Sequence, residues 1–93
     1  MVKTFRNKDV ERIFNRQRVK RFSLSVQKLA QRKLDILDGA DLIDDLRTPP
    51  GNRLEKLSGN RKGQYSIRVN DQWRICFRWN SGHAFDVEIA DYH

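Results

Sequence analysis

The stretch Tyr65-Ser66-Ile67-Arg68-Val69-Asn70-Asp71-Gln72-Trp73-Arg74-Ile75-Cys76-Phe77-Arg78-Trp79 decides the fold, because apolar and polar side chains alternate along it twice with a break between the two runs. Successive side chains of a strand point to opposite faces. Tyr65, Ile67 and Val69 therefore share one face with Trp73, Ile75, Phe77 and Trp79, and Ser66, Arg68, Arg74, Cys76 and Arg78 share the other. Asn70-Asp71 supplies turn residues that tolerate a left-handed backbone, and Asn80-Ser81-Gly82-His83 marks a second turn before Phe85, Val87 and Ile89. The pattern predicts an antiparallel meander with one apolar face and a second face open to solvent.

Upstream, Thr48-Pro49-Pro50-Gly51-Asn52 ends any helix before it. Ser25 is the expected N-cap of a helix in which Val26, Leu29, Ala30, Lys33, Leu34 and Leu37 recur at helical spacing, with Gly39 as its stop. Asn7 is the expected N-cap of an earlier helix carrying Val10, Ile13 and Phe14, and Val2 to Phe5 is a short strand candidate. The expected architecture is α+β in two layers, an N-terminal strand and two or three helices packed on an antiparallel sheet, with residues 1–93 as one domain.

With 38% apolar residues and a length of 93, the chain has enough for one core and too little to enclose a large cofactor cavity. Nineteen Lys and Arg against twelve Asp and Glu give a formal charge of +7, which points to a polyanionic partner, nucleic acid first. Charge is also localised: Arg53, Lys56, Arg61, Lys62, Arg68, Arg74 and Arg78 face only Glu55 and Asp71 between residues 52 and 79. Cys76 is the single cysteine, so neither an intrachain disulfide nor a thiolate metal site can form. The opening MVKTFRNKDV lacks an apolar signal core, and no run approaches the roughly 20 apolar residues of a membrane span, so the expected location is the cytoplasm.

Neither a Gly-rich phosphate loop, paired carboxylates nor a His-rich metal pattern is present, and no cofactor or metal is expected. What remains is the arginine face beside the terminal Asp91-Tyr92-His93, which is expected to swing around the sheet edge because chain ends bend readily. Arg74 offers five donors that match a phosphate, Tyr92 a flat ring and a hydroxyl, and His93 a group that exchanges protons near neutral pH. Cross-strand neighbours on one face lie about 5 Å apart, so several arginines can converge on one phosphate. RNA carries its own nucleophile, the ribose 2′-hydroxyl, and an enzyme need only align it, move protons and hold negative charge. Against this stand an ordinary solvated strand face, a frayed terminal histidine, and core packing, which is the role expected of Trp73 and Trp79. Catalysis requires that the arginine face not be covered by the chain itself. From the residues alone the reading ends at a basic α+β domain that binds nucleic acid.

Leu57-Ser58-Gly59-Asn60-Arg61-Lys62-Gly63, followed by Trp73-Arg74-Ile75 and the terminal Asp91-Tyr92-His93, resembles the HigB family of plasmid-maintenance killer proteins in the RelE superfamily, and the likeness runs over nearly the whole chain. The resemblance implies the RelE-like microbial RNase fold and the toxin of a type II toxin-antitoxin pair, a ribosome-dependent, metal-independent endonuclease that cuts mRNA in the ribosomal A site. It implies a HigA-like helix-turn-helix antitoxin as partner, with operator DNA reached only through that antitoxin. In the family, the arginine corresponding to Arg74 binds the scissile phosphate and the histidine corresponding to His93 transfers a proton, while Asp91 and Tyr92 match residues that shape the site.

The chain departs from the family pattern at Ser58, where a lysine is common. Losing one electrostatic donor of this kind costs about 3 to 4 kcal/mol in barrier. Either Lys56, Arg61 or Lys62 supplies the charge, or the enzyme is slower. Lys56, Arg61, Lys62, Arg68 and Arg78 are the expected phosphate contacts, and Arg16, Arg18, Lys20, Arg21, Lys28, Arg32 and Lys33 the expected contacts to ribosomal RNA. The alternative from a different class is a non-catalytic RNA-binding or regulatory module, for which the basic face suffices and His93 is idle.

Overall fold

The computed structural model describes residues 1–91, so what is expected of Tyr92 and His93 lies outside the described residues. Helix α1 (Lys8–Phe14) starts at Asn7, whose side chain accepts the Val10 amide as an N-cap should. It ends by a turn in which Arg16 takes a left-handed backbone, φ 64°, and the Arg16 and Gln17 amides donate back to the Ile13 and Arg12 carbonyls. Helix α2 (Leu24–Gly39) is capped by Ser23 and not by Ser25: the Ser23 backbone is extended and its Oγ accepts the Val26 amide. Burial of Phe22 edge-on against Trp73, ring centroids 5.0 Å apart, fixes the chain just before Ser23 and so places the first serine at the helix entrance.

Two short 3₁₀ turns, Ile43–Arg47 and Pro50–Asn52, carry the chain from α2 to the sheet. The strands are β1 (Glu55–Lys56), β2 (Gln64–Arg68), β3 (Trp73–Asn80) and β4 (His83–Asp91), antiparallel and in the order β1-β2-β3-β4. The N-terminal segment lies parallel to β4 through bridges at Val2–Ala84 and Phe5–Val87, adding isolated pairings at the sheet edge in place of a continuous strand. Ile67, Ile75, Phe77, Val87 and Ile89 bury one sheet face against Val10, Ile13, Ala30, Leu34 and Leu37 of the helices. Among the described residues no helix is long and apolar enough to cross a membrane.

Three expectations about the sheet need correction. The β2–β3 turn is not closed by left-handed residues: Asn70 Oδ1 instead accepts the Gln72 and Trp73 amides, an Asx turn that needs no positive φ. In the second hairpin both Ser81 (φ 54°) and Gly82 (φ 81°) are left-handed, as a two-residue turn matched to sheet twist requires. Phe85 does not enter the core. A bulge at left-handed Asp86 (φ 53°) shifts the alternation, so that Ala84, Val87 and Ile89 point inward and Phe85 pairs beside Arg78.

The third correction concerns the second sheet face, which is only partly open. Ser66 and Cys76 are fully buried there, Gln64 and Arg74 nearly so, while Arg68 stays half-buried and Arg78 exposed. The cover comes from the segment that leads into β1 and from the turn at Gly59–Arg61, neither of which has a strong periodic signal.

Candidate active site

The open part of that face is a groove at the β2–β3 hairpin, with a volume of about 230 Å³ and walls formed by Arg53, Glu55, Arg68, Asn70, Asp71 and Arg74. That is many times the roughly 10 to 15 Å³ a water needs, so a phosphodiester group fits. Antiparallel register sets Arg68 directly opposite Arg74. The Arg74 guanidinium is held from beneath: Nε donates to Ser66 Oγ at 2.8 Å, and Nη2 donates to the Arg53 carbonyl at 2.6 Å and the Ser66 carbonyl at 3.4 Å. Glu55 approaches it to 3.9 Å, and Arg68 pairs with Asp71 across the turn. Burial on this scale fixes the direction in which the fork points before any ligand arrives.

Three arginines against Glu55 and Asp71 give the groove walls a net positive charge. Lys33, on α2, donates from Nζ to Oδ1 of the buried Asn52, whose Nδ2 donates to the Leu46 and Thr48 carbonyls. Burial lowers the Lys33 pKa, and Arg32 and Arg68 lower it further, a sign that cations from the helix and from the groove are close together.

The other half of the face is built differently. Glu88 pairs with Arg61 and, at 3.5 Å, with Arg6, closing over Cys76. Arg6, Asn60, Arg61 and Gln64 line a separate depression of about 290 Å³, and Arg78 lies 3.5 Å from Asp86. The expected phosphate contacts are thus divided. Arg68 joins Arg74, whereas Arg61 and Arg78 face carboxylates elsewhere, and Lys56 and Lys62 are exposed outside the groove. Strand alternation explains Lys56: its neighbour Glu55 turns into the groove. None of Lys56, Arg61 and Lys62 lines the groove around Arg74.

Asp91 is the last described residue, and it does not leave the sheet as expected. It pairs with Trp73 and accepts from Gln72 Nε2 at 3.2 Å, because β3 extends far enough to keep β4 in register to its end. This register nevertheless brings the C-terminal end of β4 alongside Trp73-Arg74, at the same end of the sheet as the groove.

Among the helical cations, Arg18 is occupied: its guanidinium donates to the Val19 and Phe22 carbonyls and to Gln27 Oε1. Arg16 pairs with Asp35 at 3.1 Å, and Arg21 lies over the Phe22 ring with Asp9 at 3.8 Å. Lys20, Lys28 and Arg32 are exposed, the latter two lining a shallow depression with Gln31 and Asp35. Lys33 stands apart from this solvent-facing group, turned toward Asn52. The periodic patterns missed Asn52, Gln27 and Arg53, since each acts through partners distant in sequence or through an unusual backbone angle.

This two-layer arrangement is the fold of known bacterial toxins. The chain superposes on YoeB in a YoeB-YefM complex from Staphylococcus aureus with a TM-score of 0.63 at 17% identity, covering 100% of this chain and 98% of that one. On a YafQ point variant from E. coli the TM-score is 0.68 at 12% identity, covering 98% and 91%. In sequence it is 44% identical over 90 residues to Toxin HigB-1 of Vibrio cholerae serotype O1, covering 96% of this chain and 95% of that protein. It is 29% identical over 93 residues to Endoribonuclease HigB of Proteus vulgaris, covering 100% of both. Residues 3–93 match the family described as the RelE-like toxin of the type II toxin-antitoxin system HigB. The chain belongs to the HigB-like toxin family.

Proposed function

We propose that this toxin is an endoribonuclease that cuts mRNA in the ribosomal A site, with the groove around Arg74 as the place where the scissile phosphate binds. The observation that carries the reading is the guanidinium of Arg74, pre-oriented by Ser66 and the Arg53 carbonyl in a positive groove beside the end of β4. Support also comes from the name of the Proteus vulgaris relative, an endoribonuclease.

In the proposed reaction the ribose 2′-oxygen forms a bond to phosphorus in line with the departing 5′-oxygen. The 2′-hydroxyl gives up its proton, the phosphorus–5′-oxygen bond breaks, and the 5′-oxygen takes up a proton. The products are a 2′,3′-cyclic phosphate and a 5′-hydroxyl, and no metal takes part in the step. Arg74 holds the charge of the phosphorane, and His93 exchanges the proton. Asp91 and Tyr92 shape the site. The ribosome supplies part of the alignment, which places the activity in the cytoplasm, and a HigA-like helix-turn-helix antitoxin neutralises the protein and links it to operator DNA.

The burial of Arg74, 7% exposed, favours a second reading, in which the arginine braces the sheet and the domain only binds RNA. Primer extension on mRNA-programmed ribosomes, with a ribosome-free control, separates the two. The nuclease reading expects cuts on ribosomes only, with His93→Ala slower by about 10² to 10⁴ and its ribosome affinity kept. Tight ribosome binding without any cut would leave the binding module in its place.

A further inference from the structure

Ser58 leaves the chain without the lysine common in the family, and none of Lys56, Arg61 and Lys62 lines the groove around Arg74, whereas Arg53 does. Its backbone, at the end of the Pro50–Asn52 turn, is left-handed, φ 45° and ψ 57°, a conformation uncommon for a residue with a Cβ. Two anchors enforce it. Asn52, fully buried, ties the preceding residue to Leu46, Thr48 and Lys33, and Arg74 Nη2 grips the Arg53 carbonyl at 2.6 Å. With the backbone held in this way, the Arg53 side chain becomes a wall of the same groove as Arg68 and Arg74.

Of these three arginines, Arg68 and Arg74 face carboxylates, Asp71 and Glu55, while Arg53 forms no ion pair among the described residues. Asp71 is fully solvent-exposed and Glu55 about half exposed, so an entering phosphate displaces them at small cost.

We propose that Arg53 is a phosphate-binding catalytic residue, supplying the cation absent at Ser58 to the RNA phosphate held by Arg74. The inference rests on the nuclease reading for its catalytic part and on the groove alone for its binding part. The hydrogen bond from Arg74 also holds the Arg53 backbone at the groove, so that one buried residue positions the base of the second arginine.

The test uses Arg53→Gly, Arg53→Asn and Arg53→Lys in the full chain. Glycine relieves the left-handed backbone and asparagine tolerates it, so both should melt at or above the wild-type temperature. Two readouts are taken: single-turnover cleavage on saturating mRNA-programmed ribosomes, and binding of a non-cleavable 2′-O-methyl RNA oligonucleotide to the isolated protein across a salt series.

Arg53→Gly and Arg53→Asn are expected to slow cleavage about 10² to 10³-fold, the usual effect of removing one charge-stabilising donor, with Arg53→Lys recovering part of the rate. Their binding should show a salt slope shallower by about 0.7, the equivalent of one neutralised phosphate on a single strand. Folded Arg53→Gly and Arg53→Asn that cut at the wild-type rate, or that keep the full salt slope, overturn the proposal. If wild type itself cuts nothing, the nuclease reading fails, and the salt slope still decides whether Arg53 binds phosphate.

Discussion

Asn52 shows how one buried amide organises the approach to the groove. It donates to the Leu46 and Thr48 carbonyls and accepts from Lys33, so Asn52→Ala strands two carbonyls and an ammonium. Such losses cost about 1 to 3 kcal/mol, and urea unfolding of the variant should show a destabilisation in that range. Lys33 itself reports first on its burial and then on its cationic neighbours. Burial, with Arg32 and Arg68, depresses its folded pKa below the ordinary 10.5, so the unfolded chain binds more protons at the alkaline edge. The penalty on its charge is therefore full below the folded value and relieved as pH rises toward 10.5, which makes the Lys33 contribution to stability increase through that window. In Lys33→Met the increase should be missing: the stability of wild type relative to the variant should rise with pH there, and a flat difference would show that neither burial nor its cationic neighbours depress the lysine. At this scale the sequence made the cap at Asn7 and the strand position of Arg74 legible, because both follow from local spacing, but not the burial of Arg74 on a face expected to be open. Asn52 and Arg53 were not legible, because a carbonyl six residues away and a left-handed angle leave no periodic trace.

At the scale of elements, alternation placed β2, β3 and their inward faces correctly, and failed where the ladder is irregular. Nothing in Phe85-Asp86-Val87 announces a bulge, yet left-handed Asp86 turns Phe85 out of the core and brings its own amide to Thr4 Oγ1 at 2.8 Å. A β-branched residue there bears the steric penalty of the left-handed region in full. Asp86→Val should be less stable than Asp86→Asn by about 1 to 2 kcal/mol, read from thermal melts of the two variants, since asparagine tolerates the angle. Equal melting temperatures would mean that the bulge migrates. The second face was expected to be open throughout for a different reason: strand period reports which side a residue takes, and says nothing of the loops that fold over it. The approach over residues 50–55 and the Gly59–Arg61 turn, both short, carry that cover.

Over the whole molecule, a formal charge of +7 is divided between cations that hold the fold together and cations left for a partner. Arg18 bridges the turn between the helices, and Arg61 with Arg6 encloses Glu88. Lys20, Lys28 and Arg32 face solvent, and Lys33 turns to the buried Asn52. Neutralising Lys20, Lys28 and Arg32 together should weaken ribosome binding and flatten its salt dependence, by about 0.7 to 0.9 in slope for each phosphate that these side chains no longer neutralise. An unchanged slope would remove these residues from the interface.

Cleavage in the Arg74 groove by the RNA's own 2′-hydroxyl is put to the test by an mRNA with one 2′-deoxy nucleotide on the 5′ side of the mapped cut. On programmed ribosomes this single missing oxygen should abolish cleavage at that bond while the toxin still binds and still cuts the all-ribose message to a 2′,3′-cyclic phosphate. Undiminished cleavage of the deoxy-substituted message would contradict that mechanism, since the nucleophile would then come from elsewhere.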